Sequence, residues 1–290
     1  MICNACPRKC NIDRENTLGF CRSPERFRLA RASLHFWEEP CISGKDGSGT
    51  VFFSGCNLRC AYCQNYEISH GCKGKEVSGD KLVEIFESLI RQGANNINLV
   101  NPSHYALQLA NVLKTWKSPV PIVYNTSGYD SAETIKKLDG LVDVYLTDFK
   151  YIRSDKAALY SRAEDYVEVT KSALAEMQRQ IPHCEFDGSG IMKKGVIVRH
   201  LILPSNTNSS LRIIDYLAEN CPESFISLMA QYTPCGELEN LPELNRKITA
   251  REYNKVVDYA VSKGIDKLFL QELTSADKKF IPVFDFTGIM

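Results

Sequence analysis

The chain has 290 residues, 44% of them apolar, with 35 basic and 35 acidic side chains. That length supports one large core plus a small appendage, and the charge balance argues against a dedicated nucleic-acid or anionic-membrane surface. No apolar run approaches the ~20 residues needed to span a bilayer, and the N-terminus has no hydrophobic signal region, so a cytoplasmic protein is expected.

Residues 1–24 are rich in cysteine and basic residues and have no hydrophobic period. They read as a small module shaped by a metal. Cys3, Cys6, Cys10 and Cys21 follow the spacing C-x2-C-x3-C-x10-C, and four thiols beside so little apolar sequence imply that a metal supplies the folding energy. Zinc and a second iron–sulfur cluster both suit four thiolates, and the spacing does not choose between them. Arg8, Lys9, Arg14 and Arg22 would offset the thiolate charge, and Pro7 stiffens the loop. Twelve cysteines in a reducing compartment point to metal or redox chemistry rather than disulfides. Cys41, Cys72, Cys184, Cys221 and Cys235 are scattered and read as small packed side chains.

Residues 25–49 read as an irregular connector ending in the Gly/Ser-rich stretch 43–49. From residue 50 onward, short apolar runs alternate with amphipathic segments, which predicts a parallel sheet. Strands are expected over 50–54, 97–100, 121–126, 142–149, 195–203, 225–229 and 267–270. Helices are expected over 80–92, 105–116, 131–138, 166–180, 209–220 and 249–263. Leu82, Ile85, Phe86 and Leu89 share one helical face, and Thr249 with Glu252 reads as a capping box. The pattern predicts an α/β fold, a partial or near-complete (β/α) barrel over 50–290, with a doubly wound open sheet as the rival. Either fold gathers ligands at the C-terminal strand ends. Those ends carry Cys56, Asn101, Asn125, Thr126, Asp148 and Lys150.

The segment after the first expected strand is Gly55-Cys56-Asn57-Leu58-Arg59-Cys60-Ala61-Tyr62-Cys63-Gln64-Asn65. Its C-x3-C-x2-C loop supplies three thiolates, whereas a cubane [4Fe–4S] cluster has four irons to ligate. One iron would stay open to a ligand, and an open coordination position marks a catalytic centre. Zinc with a distant fourth ligand is the alternative that spacing leaves standing. Tyr62, beside the last thiolate, could pack its ring against an aromatic ligand.

Cys56, Cys60, Tyr62 and Cys63 resemble the hallmark C-x3-C-φ-C (φ aromatic) of the radical S-adenosylmethionine superfamily. Within it, the chain is similar to the pyruvate formate-lyase-activating-enzyme-like group over nearly its whole length. Residues 6–10, 37–44, 55–65, 123–129, 148–150 and 199–204 carry that resemblance. It implies a [4Fe–4S] cluster on Cys56, Cys60 and Cys63, with S-adenosylmethionine chelating the open iron. Reductive cleavage then yields a 5′-deoxyadenosyl radical that abstracts hydrogen from a substrate, by this resemblance a glycine of a partner protein, with radical modification of another protein, a peptide or a small molecule as the alternative. A flavodoxin- or ferredoxin-like electron donor is implied, with neither nucleic acid nor membrane as partner.

The resemblance also distributes roles. Lys150 is expected to meet the methionyl carboxylate, and Arg199 to lie near the cofactor. Tyr62 and Asn65 join the cofactor-binding set through the hallmark segment. Asn125, Thr126 and Asp148 match a monovalent-cation site, with Asn125 replacing the group's Asp and removing one negative charge. Where the superfamily has a glycine-rich element after the second strand, this chain has residues 98–104, so Asn101 or Ser103 would accept from the cofactor amino group. Gln231 and Tyr232 are expected near the adenosine, and His200 reads as structural. The rival from another class is an electron-transfer or scaffold protein whose two cysteine groups are both structural.

Overall fold

Seven apolar runs become parallel strands laid side by side in chain order. The computed structural model describes residues 2–277 and 281–290. Its sheet contains β1 (Phe27–His35), β2 (Ser48–Phe53), β3 (Lys75–Val77), β4 (Ile97–Val100), β5 (Ile122–Thr126), β6 (Val144–Asp148), β7 (Glu185–Phe186), β8 (Met192–Leu201), β9 (Phe225–Met229) and β10 (Leu268–Leu270). Strands β2, β4, β5, β6, β8, β9 and β10 are parallel neighbours in that order. A doubly wound sheet reverses its order at a switch point. This sheet never reverses, so right-handed crossovers keep the helices on one side and the sheet winds as a barrel. Among the described residues β3 and β10 are its two unpaired edges, and the barrel is partly open.

The helices are α1 (Pro40–Ser43), α2 (Tyr66–Ser69), α3 (Gly79–Arg91), α4 (Ala106–Thr115), α5 (Ala132–Lys136), α6 (Ser154–Ser161), α7 (Tyr166–Gln180), α8 (Thr207–Asn220) and α9 (Ala250–Ser262). The capping box of α9 forms between Thr249 and Glu252 as the sequence predicts. None of these helices is long and apolar enough to cross a membrane.

The segment 25–49 corrects the sequence reading. Instead of an irregular connector it contains β1, antiparallel to both β2 and β3, and the short helix α1. Arg28 and Arg31 interrupt the apolar residues of β1, and an irregularity in register between Leu29 and Arg31 breaks strict alternation. The period of two is therefore hidden in the sequence.

Alternation elsewhere builds two layers. Tyr124, Tyr145, Val196 and Val198 face the helices in the main core. Val123, Val144, Leu146 and Ile197 face inward, where they pack on Cys41 and Ile42 of α1. Asn96 Nδ2 donates to Ile42 O (2.8 Å) and Asn95 Nδ2 to Ser43 O (2.7 Å), which fixes α1 as the barrel floor. Two residues further along the same inward faces come Asn125, Asp148 and Arg199. An apolar floor thus gives way to a polar layer at the C-terminal strand ends.

Residues 2–24 have no helix or extended strand, only an isolated bridge between Ile2 and Asp13. They dock at the end of β2. Ser23 Oγ donates to Ser54 O (3.2 Å), and Arg14 Nη1 donates to His104 O (2.6 Å). Gly55, at φ +86°, makes the close approach feasible. A Cβ there would lie 2.0 Å from Ser23 Oγ and 2.6 Å from Cys21 O.

Candidate radical cofactor site

The chain leaves β2 at Gly55 and folds Cys56, Cys60 and Cys63 into a tight loop. Leu58 N and Arg59 N both donate toward Cys56 Sγ, at 3.3 and 3.5 Å. Asn57 Nδ2 donates to Tyr129 O (2.7 Å), and Arg8 Nε donates to Asn57 O (2.8 Å), so the loop is pinned from both sides. Burial pushes the thiol of Cys56 up to about 11 and that of Cys63 up to about 12. Burial also raises Cys60, against the nearby positive charge of Lys150. Such thiols keep their protons at neutral pH until a metal displaces them.

All three cysteines line one cavity of about 500 Å³. The sequence-predicted residues Tyr62, Asn65, Asn101, Asn125 and Thr126 line it too, as do Asp148, Lys150, Arg199, Gln231 and Tyr232. Gln271, just beyond β10, reaches the same space as Cys56, just beyond β2. Residues following the first and last parallel strands meet there, as they must when a sheet curls.

The polar layer is a connected charge network. Asp148 Oδ2 accepts from Lys150 Nζ (2.5 Å) and Oδ1 from Arg199 Nε (2.9 Å). Arg199 Nη2 donates to Asn125 Oδ1 (2.6 Å), and Nη1 to Glu38 Oε2 (3.2 Å). Glu38 Oε1 accepts from Asn98 and Asn125, each at 3.2 Å. Burial opposes the charge on Asp148, but Lys150 and Arg199 outweigh it and hold its carboxyl below the usual range. For Glu38 burial wins over Arg199, and its pKa is raised.

This network lends the cation-site reading no support. Both oxygens of Asp148 and the Asn125 carbonyl already accept from the chain's own cations, while Thr126 Oγ1 donates to Asp130. Ser103 also departs from expectation, since it is absent from the cavity wall and pairs with Thr126 Oγ1 at 3.0 Å. Asn101 does line the cavity. Its Nδ2 donates to Gly55 O (2.6 Å), leaving Oδ1 as an acceptor. His200 points to the opposite face, where its ring nitrogens meet Phe149 O (2.8 Å) and Ser210 Oγ (2.9 Å). A carbonyl can only accept, so Nδ1 carries the proton and Ser210 donates to Nε2.

Two buried atoms test whether a polar ligand fits. Asn65 Oδ1 and Ser127 Oγ belong to residues of the cavity wall and have no hydrogen-bond partner in the protein. Buried polar atoms are rarely left so, and a ligand offering N–H or O–H groups would satisfy them. The donor set therefore suits a cluster on the thiols with a polar cofactor beside it. Sequence reasoning missed Glu38. A Glu-Glu pair between aromatic residues and a proline was its one visible signal.

Cys3, Cys6, Cys10 and Cys21 line a second, small pocket together. Burial, reinforced by the other three thiols, pushes Cys6 up to about 12. Among the described residues, no three His, Cys, Asp or Glu side chains already form a single-ion site.

Fold and site together define a partly open (β/α) barrel with a three-thiol loop at the C-terminal end of its first parallel strand. Residues 50–192 match a domain of the Radical SAM superfamily. Such a domain implies a [4Fe–4S] cluster and S-adenosylmethionine. An uncharacterized protein of Methanocaldococcus jannaschii is 28% identical over 277 residues, covering 92% of this chain and 76% of that one. Among solved structures, methylornithine synthase (PylB) superposes with a TM-score of 0.50 at 12% identity, over 74% of this chain and 60% of its own. The FeFe-hydrogenase maturase HydG from Carboxydothermus hydrogenoformans gives 0.50 at 15% identity, over 80% and 56%. This chain spans less than two thirds of either solved chain, and the likeness at such identity concerns the fold.

Proposed function

We propose that this radical S-adenosylmethionine enzyme abstracts hydrogen from a glycine Cα of a partner protein, leaving a glycyl radical. The observation that carries the chemistry is the convergence of three thiols, two orphaned acceptors and a buried charge network on one cavity. The sequence resemblance over nearly the whole chain supports a protein substrate. So does the cavity wall at Trp37, which is 64% exposed and adjoins Phe36 at 49%. An apolar rim of this kind suits an inserted peptide loop.

When bound, the cluster and S-adenosylmethionine supply the 5′-deoxyadenosyl radical. Cys56, Cys60 and Cys63 would hold the cluster. Lys150 has three N–H donors and directs one to Asp148, so it can neutralise the methionyl carboxylate with another. Asn101 Oδ1, Asn65 Oδ1 and Ser127 Oγ offer acceptors for the amino group and adenosine. Tyr62 meets Tyr160 and Tyr232 edge-on, forming an aromatic wall that excludes water. A flavodoxin- or ferredoxin-like protein would deliver the electron.

Partners captured anaerobically should show a glycyl radical by electron paramagnetic resonance, only with enzyme, reductant and S-adenosylmethionine all present. Cofactor turnover with a modified small molecule and no protein radical would count against the glycine reading.

We also assign a metal to the N-terminal quartet, either zinc or a second iron–sulfur cluster. Metal analysis of a Cys56→Ala/Cys60→Ala/Cys63→Ala variant isolates it. Zinc without iron removes the second cluster, iron with sulfide removes zinc, and neither metal removes the site.

A further inference from the structure

A file of three hydroxyls runs from the cavity wall to one cluster thiol. Tyr62 OH lies 2.7 Å from Tyr151 OH, which lies 2.6 Å from Ser161 Oγ, and Ser161 Oγ donates to Cys60 Sγ at 2.9 Å. All four residues are buried, and Ser161 is fully so. A metal-bound thiolate has no proton and can only accept. That fixes the direction of the whole file: Ser161 donates to Cys60, Tyr151 to Ser161, and Tyr62 to Tyr151. Each hydroxyl has one proton, and each proton points toward the sulfur. Donors aligned this way polarise one another in a low-dielectric interior.

Ser161 is 101 residues from Cys60 in sequence, so its placement depends on tertiary contacts. It ends α6, followed by Arg162 in the left-handed region at φ +53°. Ala61 N donates to Tyr160 O (2.8 Å), tying this turn to the cysteine loop. Arg8 completes the junction from the N-terminal module. Its Nη1 donates to Arg162 O (2.6 Å), its Nη2 to Ser161 O (3.3 Å) and its Nε to Asn57 O (2.8 Å). The guanidinium is held over the Phe20 ring, 3.9 Å from its centroid. One side chain thus fixes both the loop that carries Cys60 and the turn that carries Ser161.

We propose that Ser161, backed by Tyr151 and Tyr62, is a positioning residue that raises the reduction potential of the cluster on Cys56, Cys60 and Cys63. The inference rests on the cluster assignment above. Reduction adds negative charge, part of it on the thiolate sulfurs, so a donor aimed at Cys60 stabilises the reduced state more than the oxidised one. Hydrogen bonds to cluster sulfurs are an established determinant of potential. A serine that merely packs the end of α6 would leave the potential unmoved.

The test is a redox titration of the full chain, reconstituted anaerobically and followed by electron paramagnetic resonance without S-adenosylmethionine. Ser161→Ala should keep its iron and show a midpoint shifted to a more negative potential than wild type. Tyr151→Phe should shift in the same direction and by less. Ser161→Ala with a full cluster and a wild-type midpoint overturns the proposal. Should Ser161→Ala fail to fold or load, Tyr151→Phe decides: a negative shift supports the relay and an unmoved midpoint overturns it. A wild-type chain that assembles no [4Fe–4S] cluster instead sinks the underlying assignment, which the iron and sulfide content reveals separately.

Discussion

Asp148→Ala is expected to lower the unfolding free energy of the metal-free protein by about 3–5 kcal/mol, the range for removing one partner of a buried ion pair. Asp148 is 7% exposed and receives both Lys150 and Arg199. Without it, two buried cations lose their shared anion, and only the buried pair Glu38 and Glu39 remains near Arg199. Desolvating charge is costly, and the pairing at Asp148 is what offsets it. The pH dependence has a definite sign. The folded carboxyl has a lowered pKa, so its contribution is complete above the unfolded value near 3.9 and disappears as pH falls through the lower folded value. The wild-type advantage should therefore be flat from pH 5 to 7 and shrink below about pH 4. Urea unfolding across that range checks it. A loss under about 1 kcal/mol at pH 7, typical of an exposed pair, would contradict the network as described.

Cys60→Ala is expected to have the largest functional effect. It removes one of three cluster ligands, and it is also the thiol that receives the Ser161 donor. The substitution deletes a single sulfur from a buried site, so the apo fold should persist. Cluster loading should collapse, and cofactor cleavage should fall by more than about 100-fold, the upper end of what losing even an outer-shell partner costs. Retention of a wild-type iron–sulfur spectrum in this variant would show that Cys60 is no ligand.

The barrel could be read from the chain because its central strands are short apolar runs set between amphipathic helices, and parallel strands covered on both faces look that way. Strand β1 could not, because two arginines and a register irregularity hide its period. Helix α6 was equally opaque: Ala157 and Tyr160 are buried, but Leu159 points outward at 54% exposure, leaving little periodic signal. The thiol loop was legible because its spacing is local. Asp148 was legible as a strand-end residue and Arg199 through the family resemblance, but their partnership was not, since it joins positions 51 residues apart. That partnership makes Asp148 part of an internal ion network. Glu38 and Ser161 belong to the same class, reaching the site only once the connector and α6 have packed.

Product analysis tests the central claim most directly. The reconstituted full chain, given dithionite and S-adenosylmethionine under anaerobic conditions, should release 5′-deoxyadenosine, and Cys60→Ala should not. A fully loaded wild-type cluster that leaves S-adenosylmethionine intact, or that yields S-adenosylhomocysteine instead, would contradict the account.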